Sequence, residues 1–107
     1  MMRRDRLRTT ESADGRKVVT WRLVGHDCRI LRIQNRADAS VAYRWPGGES
    51  LPLAGPGLVS FDESAAPDLA TVRDAFPGHH DLWDALRDAY WVALLNLADL
   101  PASATET

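Results

Sequence analysis

Four side chains that could bind a metal lie close together in the sequence, in the run His79-His80-Asp81 and one helical turn later at Asp84. Imidazole and carboxylate groups are zinc ligands, but a zinc site normally needs roughly three or four ligands that converge on one point. A negative side chain such as Asp81 is also favourable near the start of a helix. We therefore interpret the cluster as a helix start with two exposed histidines, and we predict no bound metal.

A second candidate for chemistry is the pair His26 and Cys28, which resembles a nucleophile beside its base. Such a pair normally has a third group that orients the base, and none is evident in the sequence. The sequence also contains no Gly-x-Ser-x-Gly elbow, no Gly-x-Gly-x-x-Gly fingerprint and no phosphate-binding loop. We predict that Cys28 is a small buried hydrophobe, that no cofactor is bound, and that the chain is not an enzyme.

The longest periodic segment of the chain runs from His79 to Asp99, which as a helix would be about 30 Å long at 1.5 Å per residue. Pro77-Gly78 precedes it, and Leu100-Pro101 is predicted to end it. At about 100° per residue, its apolar positions share one face. These positions are Leu82, Leu86, Tyr90, Ala93, Leu94 and Leu97, and the acidic positions Asp81, Asp84, Asp88 and Asp99 lie opposite.

Three apolar residues of this helix, Trp91, Val92 and Leu95, point toward the acidic side instead. One tryptophan can bury about 150–250 Å², so leaving it in water forfeits about 4–6 kcal/mol at ~25 cal/mol per Å². Either the preceding helix or the loop 46–57 covers these residues, or they form an interface with another protein or a second copy. The predicted partner-binding surface comprises Trp91, Val92, Leu95, Asp84 and Asp88.

The first 61 residues have the composition of β-strands separated by turns. Asp14-Gly15 indicates a hairpin turn, and Leu51-Pro52-Leu53 can be at most a short edge piece because proline removes a ladder donor. The predicted strands are Arg6–Glu11, Arg16–Val24, Cys28–Asn35, Ser40–Trp45 and Leu58–Phe61. A first helix is predicted over residues 65–76 with Ser64 as N-cap.

This order of elements predicts an α+β fold, in which an antiparallel β-meander of four to five strands is followed by two C-terminal helices packed on one sheet face. We expect a single domain over residues 1–100. Residues 5–61 would form the sheet part, residues 64–99 the two-helix part, and residues 101–107 a disordered tail.

Alternation along the strands predicts one apolar and one arginine-bearing face of the sheet. Val19, Trp21 and Leu23 share the apolar face, and Leu7, Leu31, Ile33, Val41, Tyr43 and Trp45 can join them. The opposite face would then display five arginines, Arg6, Arg8, Arg22, Arg32 and Arg44, with Val18, Val24 and Ile30 beside them. A one-residue bulge would move an arginine to the other side. This face is either the solvent-exposed outer side of the sheet or a binding surface for an anion. Since it carries no aromatic residue, a nucleic acid would be bound through its phosphates rather than its bases.

The composition is typical of one folded domain, with 45% hydrophobic and 26% charged residues in a chain of 107. Its single cysteine excludes an intrachain disulfide. No apolar run approaches the ~20 residues needed to cross a bilayer, and the N-terminal residues do not resemble a signal peptide. We therefore expect a cytoplasmic protein with no membrane partner.

Charge is distributed unevenly between the two parts of the chain. Residues 1–44 carry eleven Arg/Lys and five Asp/Glu, a balance of +6, whereas residues 45–107 carry two and ten, a balance of −8. Together with the absence of a recognisable catalytic motif, this predicts a small non-catalytic protein-interaction module. It would act as an adaptor, an assembly subunit, or an inhibitor such as mobile genetic elements encode against host defences, and homodimerisation is possible. The alternative is a nucleic-acid-associated protein that grips phosphates with the arginine face.

Overall fold

The computed structural model describes the backbone of residues 7–38, 43–44, 50–51 and 53–106, and the side chains of these residues except 43, 44, 50 and 97–106. Four antiparallel strands form the main sheet in the order β1-β2-β3-β6, and β4 and β5 pair separately. The α+β prediction is confirmed. The elements are β1 (Arg8–Glu11), β2 (Lys17–Val24), β3 (Asp27–Asn35), β4 (Tyr43–Arg44), β5 (Ser50–Leu51), β6 (Leu58–Ser60), α1 (Leu69–Ala75) and α2 (His80–Glu106).

The hairpin between β1 and β2 turns at the predicted position, with Gly15 at φ 73°. The Ser12 amide donates to the Lys17 carbonyl at 2.9 Å, and this bond places Arg8 directly opposite Trp21. Residues opposite one another in an antiparallel pair share a face. The prediction that Arg8 lies on the outer face is therefore wrong, because the turn sets a register that parity alone could not supply.

A β-bulge in β3 changes the second prediction about the sheet faces. Ile33 pairs with Val19 and Ile30 pairs with Trp21, so Leu31 is an extra residue between them. Ile30 and Ile33 are both fully buried on the helix-covered face. The placement of Ile30 on the arginine face is wrong, and so is that of Leu31 on the apolar face.

The free edge of β3 is covered by the segment that follows β6, rather than by the predicted strand Ser40–Trp45. The Phe61 amide donates to the Leu31 carbonyl, and the Ile30 amide donates to the Pro67 carbonyl, each at 2.8 Å. Val59 of β6 is 1% exposed, so this strand also completes the core. Of the predicted fourth strand, only β4 lies within the described residues, and it pairs with β5.

The first helix begins later than predicted. Residues Glu63–Ala65 form a single 3₁₀ turn, after which the Pro67 carbonyl is occupied by the Ile30 amide and the backbone is extended. Asp68, not Ser64, is the N-cap of α1, and its carboxylate accepts from the Thr71 amide at 2.9 Å. A helix was therefore correctly predicted within residues 65–76, but its predicted start is four residues before the start of α1 at Leu69.

The second helix extends beyond its predicted end. Its backbone is helical from His80 through Pro101 to Glu106. Proline removes one backbone donor and disfavours a helix interior, but the alanines at 98, 102 and 104 are strong helix formers. The disorder expected for residues 101–107 stays a prediction. In the described part of the chain, no helix combines the length and apolar character needed to cross a membrane.

Both helices cover one face of the sheet, where α2 contacts β1 and β2 and α1 contacts β3. The side chains below 2% exposure come from β2, β3, β6 and both helices. They are Val19, Trp21, Ile30, Ile33, Val59, Val72, Leu82, Trp83 and Leu86. One continuous core therefore holds the two helices against the sheet, and it fixes which side of α2 faces outward.

Candidate functional site

The histidines and aspartates at the start of α2 do not converge on one point, because each makes a different contact. His79 is buried and stacks on Trp83 with ring centroids 6.0 Å apart. Burial lowers the pKa of His79, Lys17 lowers it further, and Asp81 opposes both. The Asp81 carboxylate accepts a hydrogen bond from Lys17 Nζ at 3.1 Å, while His80 is exposed. Among the described residues, no three His, Cys, Asp or Glu side chains are placed to hold a metal ion.

Cys28 has the surroundings of a core residue. It is 3% exposed, and burial, followed by the charge of Asp68, raises the pKa of its thiol to about 12. A reactive cysteine needs a thiolate, which this environment opposes. The nearby His26 contributes its main-chain carbonyl, which accepts a hydrogen bond from the Tyr90 hydroxyl. This geometry gives no support to a nucleophile–base pair.

The outer face of α2 carries the most exposed large apolar side chains of this helix. Trp91, Val92 and Leu95 are 57%, 58% and 60% exposed. At about 100° per residue, Trp91 and Leu95 lie nearly opposite the buried Ala93. Neither α1 nor the described part of loop 46–57 buries them. We call these three residues the contact stripe.

The two aspartates predicted to flank the contact stripe differ from each other. Asp84 is paired with Arg73 of α1 at 3.3 Å, with both side chains about half exposed. Asp88 is 76% exposed and lies 3.7 Å from Arg87 on the same helix. The sequence reading missed Arg73, since the pairing depends on how α1 packs against α2. Asp88 is the carboxylate that remains most open to a partner.

The predicted arginine face is only partly assembled. Arg22 lies on it, but it is 3.7 Å from Glu63, and within the described residues its buried Nε has no hydrogen-bond partner. Arg32 is exposed on the same face. Arg29, which the sequence reading missed, pairs across from Arg22 but is committed to Asp27 and to the Ala66 carbonyl.

Arg8, the next arginine of that prediction, does not lie on this face. It lies on the helix-covered face, with its guanidinium 5.6 Å from the centre of the Trp21 ring. Arg6 and the side chain of Arg44 lie outside the described residues. Of the three predicted arginines whose side chains are described, the structure thus places Arg22 and Arg32 on one face and Arg8 on the other.

A cavity of about 360 Å³ opens between the first turn of α1, the middle of α2 and the start of β3. Its apolar wall is formed by Cys28, Leu69, Ala70 and the Tyr90 ring. The hydrogen bond from Tyr90 to the His26 carbonyl ties α2 to the turn that precedes Asp27 and Cys28 of β3. The Tyr90 ring also lies edge-on to Trp21, with centroids 6.4 Å apart. These contacts hold the cavity wall in the framework of the core.

The charged rim of this cavity has two signs. Asp27 and Asp68 line it from the β3 and α1 ends, and Arg73 and Arg87 line it from the two helices. The Thr71 side chain and amide lower the pKa of the Asp68 carboxyl, although burial opposes them. Burial, followed by the neighbouring ionisable groups of Cys28, Asp27 and Asp68, raises the pKa of Tyr90, which favours the neutral phenol. The sequence reading missed this site because its residues come from positions 27 to 90.

Comparison with known proteins adds no assignment to this geometry: no protein-family model, no curated protein and no solved structure matches the chain.

Proposed function

We propose that this chain is a non-catalytic protein-interaction module that binds a partner protein through the contact stripe Trp91, Val92 and Leu95. The observation that carries the proposal is the exposure of these three side chains, at 57–60%, on a helix whose opposite side carries the buried Leu82, Leu86 and Ala93. An adaptor, an assembly subunit and an inhibitor would all work in this way, by occupying a surface.

The contact stripe is not needed to complete the core. Trp21 and Trp83 of the core are 1% and 0% exposed although the contact stripe lies on the outer side of α2. In the part of the helix that carries the stripe, Ala93 is the buried residue, at 2% exposure. Exposed apolar side chains weaken the folded state relative to polar ones at ~25 cal/mol per Å². Large apolar residues clustered at a surface mark interaction sites, and tryptophan is the commonest anchor of such sites.

Charge favours a partner protein over a second copy of this chain. Residues 45–107 carry a balance of −8, and residues 89–106 contain no Lys or Arg. In an antiparallel pairing of two copies along the contact stripe, Asp84 and Asp88 would face residues 89–106 of the second copy, which offer no basic side chain. Like charges across an interface cost free energy, whereas opposite charges speed association and select partners. The partner we propose presents apolar side chains within a basic surface.

Site-specific photocrosslinking tests this proposal. A benzophenone amino acid in place of Val92 should crosslink to one protein in cells that make the chain, and the same group at Val24, which is 42% exposed, should not. The crosslinked protein is then purified and its affinity measured directly. Trp91→Asp should weaken binding by at least about 30-fold, as expected for a hot-spot residue.

Leu7→Asp is the matched control, because Leu7 is 56% exposed and lies just before β1. It should leave the affinity within about twofold, since substitutions outside an interface change binding little. Equal affinity of the wild type and Trp91→Asp for the purified partner would contradict the proposal. A crosslink to a second copy, together with a dimer that Trp91→Asp converts to monomer, would overturn the choice of partner.

A further inference from the structure

The cavity between α1, α2 and β3 combines features that are typical of a ligand-binding site. It has an apolar wall, an acidic side and a basic side, and its volume is about 360 Å³. Small-molecule sites are typically concave, mostly apolar and about 300–1,000 Å³, with a few polar groups that fix the orientation of the ligand. This cavity is at the small end of that range, so it suits a ligand much smaller than a nucleotide.

We propose that this cavity binds a small zwitterion with an apolar side chain, such as leucine or phenylalanine as the free amino acid. The ligand carboxylate would lie against Arg73 and Arg87, its ammonium group against Asp27 and Asp68, and its side chain against Leu69 and Cys28.

The basic side of the cavity can accept a carboxylate. Arg73 and Arg87 line the cavity, whereas the aspartates with which they pair, Asp84 and Asp88, do not. Both pairs are about half exposed or more, and exposed ion pairs are weak. A guanidinium can hold a carboxylate through two parallel hydrogen bonds, so exchange of a surface aspartate for a ligand carboxylate is favourable geometrically.

The acidic side of the cavity has spare negative charge. Asp27 and Asp68 line it, and Arg29 is the cation that acts on both, through a 3.3 Å pair with Asp27 and an electrostatic effect on Asp68. One guanidinium for two carboxylates leaves a local charge of about −1, which an ammonium group would neutralise. The opposite charges of the two sides disfavour a simple anion or a simple cation.

The apolar wall selects the side chain of the ligand. Cys28 is 3% exposed with its thiol protonated, and Leu69 is half-buried, so neither offers a charged group to the interior. Ala70 is a small residue at the open rim, which leaves an entrance. A branched or aromatic side chain would displace water from this wall and gain burial there.

Calorimetric titration of the full chain with four related compounds tests each part of the inference. L-Leucine should bind saturably with a dissociation constant below about 1 mM. N-acetylleucine lacks the ammonium group, leucinamide lacks the carboxylate and glycine lacks the side chain. Each should bind at least tenfold more weakly than leucine. Equal binding of leucine and leucinamide, or of leucine and N-acetylleucine, would overturn the zwitterion assignment.

Variants then locate the site. Arg87→Gln should weaken leucine binding at least tenfold, and Ala70→Trp, which fills the entrance, should abolish it. Arg16→Gln is the control, because Arg16 is 69% exposed near the first hairpin turn and should leave the affinity unchanged. No saturable leucine or phenylalanine binding up to about 10 mM, or binding that Ala70→Trp leaves intact, would reject the site. None of these outcomes depends on the contact stripe, so the partner proposal is tested separately.

Discussion

Two tryptophans on α2 occupy opposite environments although their positions are only eight apart in the sequence. Trp83 is 0% exposed, and its Nε1 donates to the Phe76 carbonyl at 2.8 Å. Trp91 is 57% exposed, and its ring meets Tyr90 at a centroid distance of 6.5 Å. The same residue type on the same helix therefore serves the core at one position and lies on the surface at the other.

The sheet beneath the helix explains this difference. The N-terminal half of α2 follows β2, with Asp81 near Lys17 at the start of the strand and Tyr90 near His26 at its end. Tyr90 already lies beside the turn that follows β2. Among the described side chains after Tyr90, only Ala93 is buried, so this part of α2 exposes its outer side.

The largest effect we predict comes from truncating the buried tryptophan. Trp83→Ala should lower the free energy of unfolding by about 3–5 kcal/mol, because it opens a cavity and leaves the Phe76 carbonyl without this donor. Trp91→Ala should stay within about 0.5 kcal/mol of the wild type, as exposed positions do. Urea denaturation of the two variants measures both values.

Trp83→Phe serves as the control for this comparison. It keeps most of the buried ring volume but removes the indole N–H, so it should fall between the wild type and Trp83→Ala. If Trp91→Ala lost as much stability as Trp83→Ala, the second half of α2 would belong to the core, and its role as a contact surface would be wrong.

The sequence contained enough information for the fold class but not for the register. Strand composition, the Asp14-Gly15 turn and the helical period of α2 depend on neighbouring residues, and these predictions were confirmed. The sheet face on which Arg8 lies depends on the geometry of the first hairpin turn, and that of Ile30 depends on the bulge at Leu31. A shift of one residue at either place moves the side chain to the other face of the sheet. Packing of the core decides the register, since the bulge allows both Ile30 and Ile33 to be buried.

The candidate sites show the same division. The contact stripe was predictable because Trp91, Val92 and Leu95 break the helical pattern within one element. The cavity was not, because Cys28, Leu69 and Arg87 meet only after the sheet and both helices have assembled. The start of α1 at Leu69 was missed for a related reason, as the Pro67 carbonyl is used by β3.

A second prediction concerns the ion pair that ties the start of α2 to β2. Burial raises the pKa of Asp81, but the hydrogen bond and charge of Lys17 outweigh it, and the net pKa lies below its ordinary value of 3.8. The contribution of the pair is therefore complete above pH 4–5 and is lost as the pH falls through the folded-state pKa. Since Asp81 is 35% exposed, we expect about 1 kcal/mol at neutral pH.

Lys17→Met tests this contribution. It should remove about 1 kcal/mol at pH 7, because the aliphatic stem stays and the charge is lost, and the difference from the wild type should shrink toward pH 3. Urea denaturation across that pH range measures it. Arg16→Met, next in the sequence but 69% exposed, should show no such convergence. A difference that stayed constant with pH would show that the ion pair with Asp81 does not cause it.

A third prediction tests the corrected register of β1. Arg8 lies 5.6 Å from the Trp21 ring, whereas Arg32 lies on the other face of the sheet. Arg8→Gln should cost about 0.5–1 kcal/mol through loss of the cation–π contact and should alter the Trp21 fluorescence. Arg32→Gln should change neither. If Arg8→Gln changed neither the stability nor the fluorescence, the first strand would be shifted by one residue from the register described.

The smallest predicted effect distinguishes the two roles of Asp84, as a link to α1 and as part of the rim beside the contact stripe. Its pair with Arg73 is about half exposed, so Asp84→Asn should cost only about 0.2–1 kcal/mol of folding free energy. A double-mutant cycle with Arg73→Gln should give a coupling of the same size, since the two side chains then no longer interact. A coupling above about 2 kcal/mol would mean that the pair fixes α1 on α2, and Asp84 would then be unavailable to a partner. A weak coupling leaves its carboxylate free to exchange Arg73 for a basic group on the partner, which is the condition that the contact stripe requires.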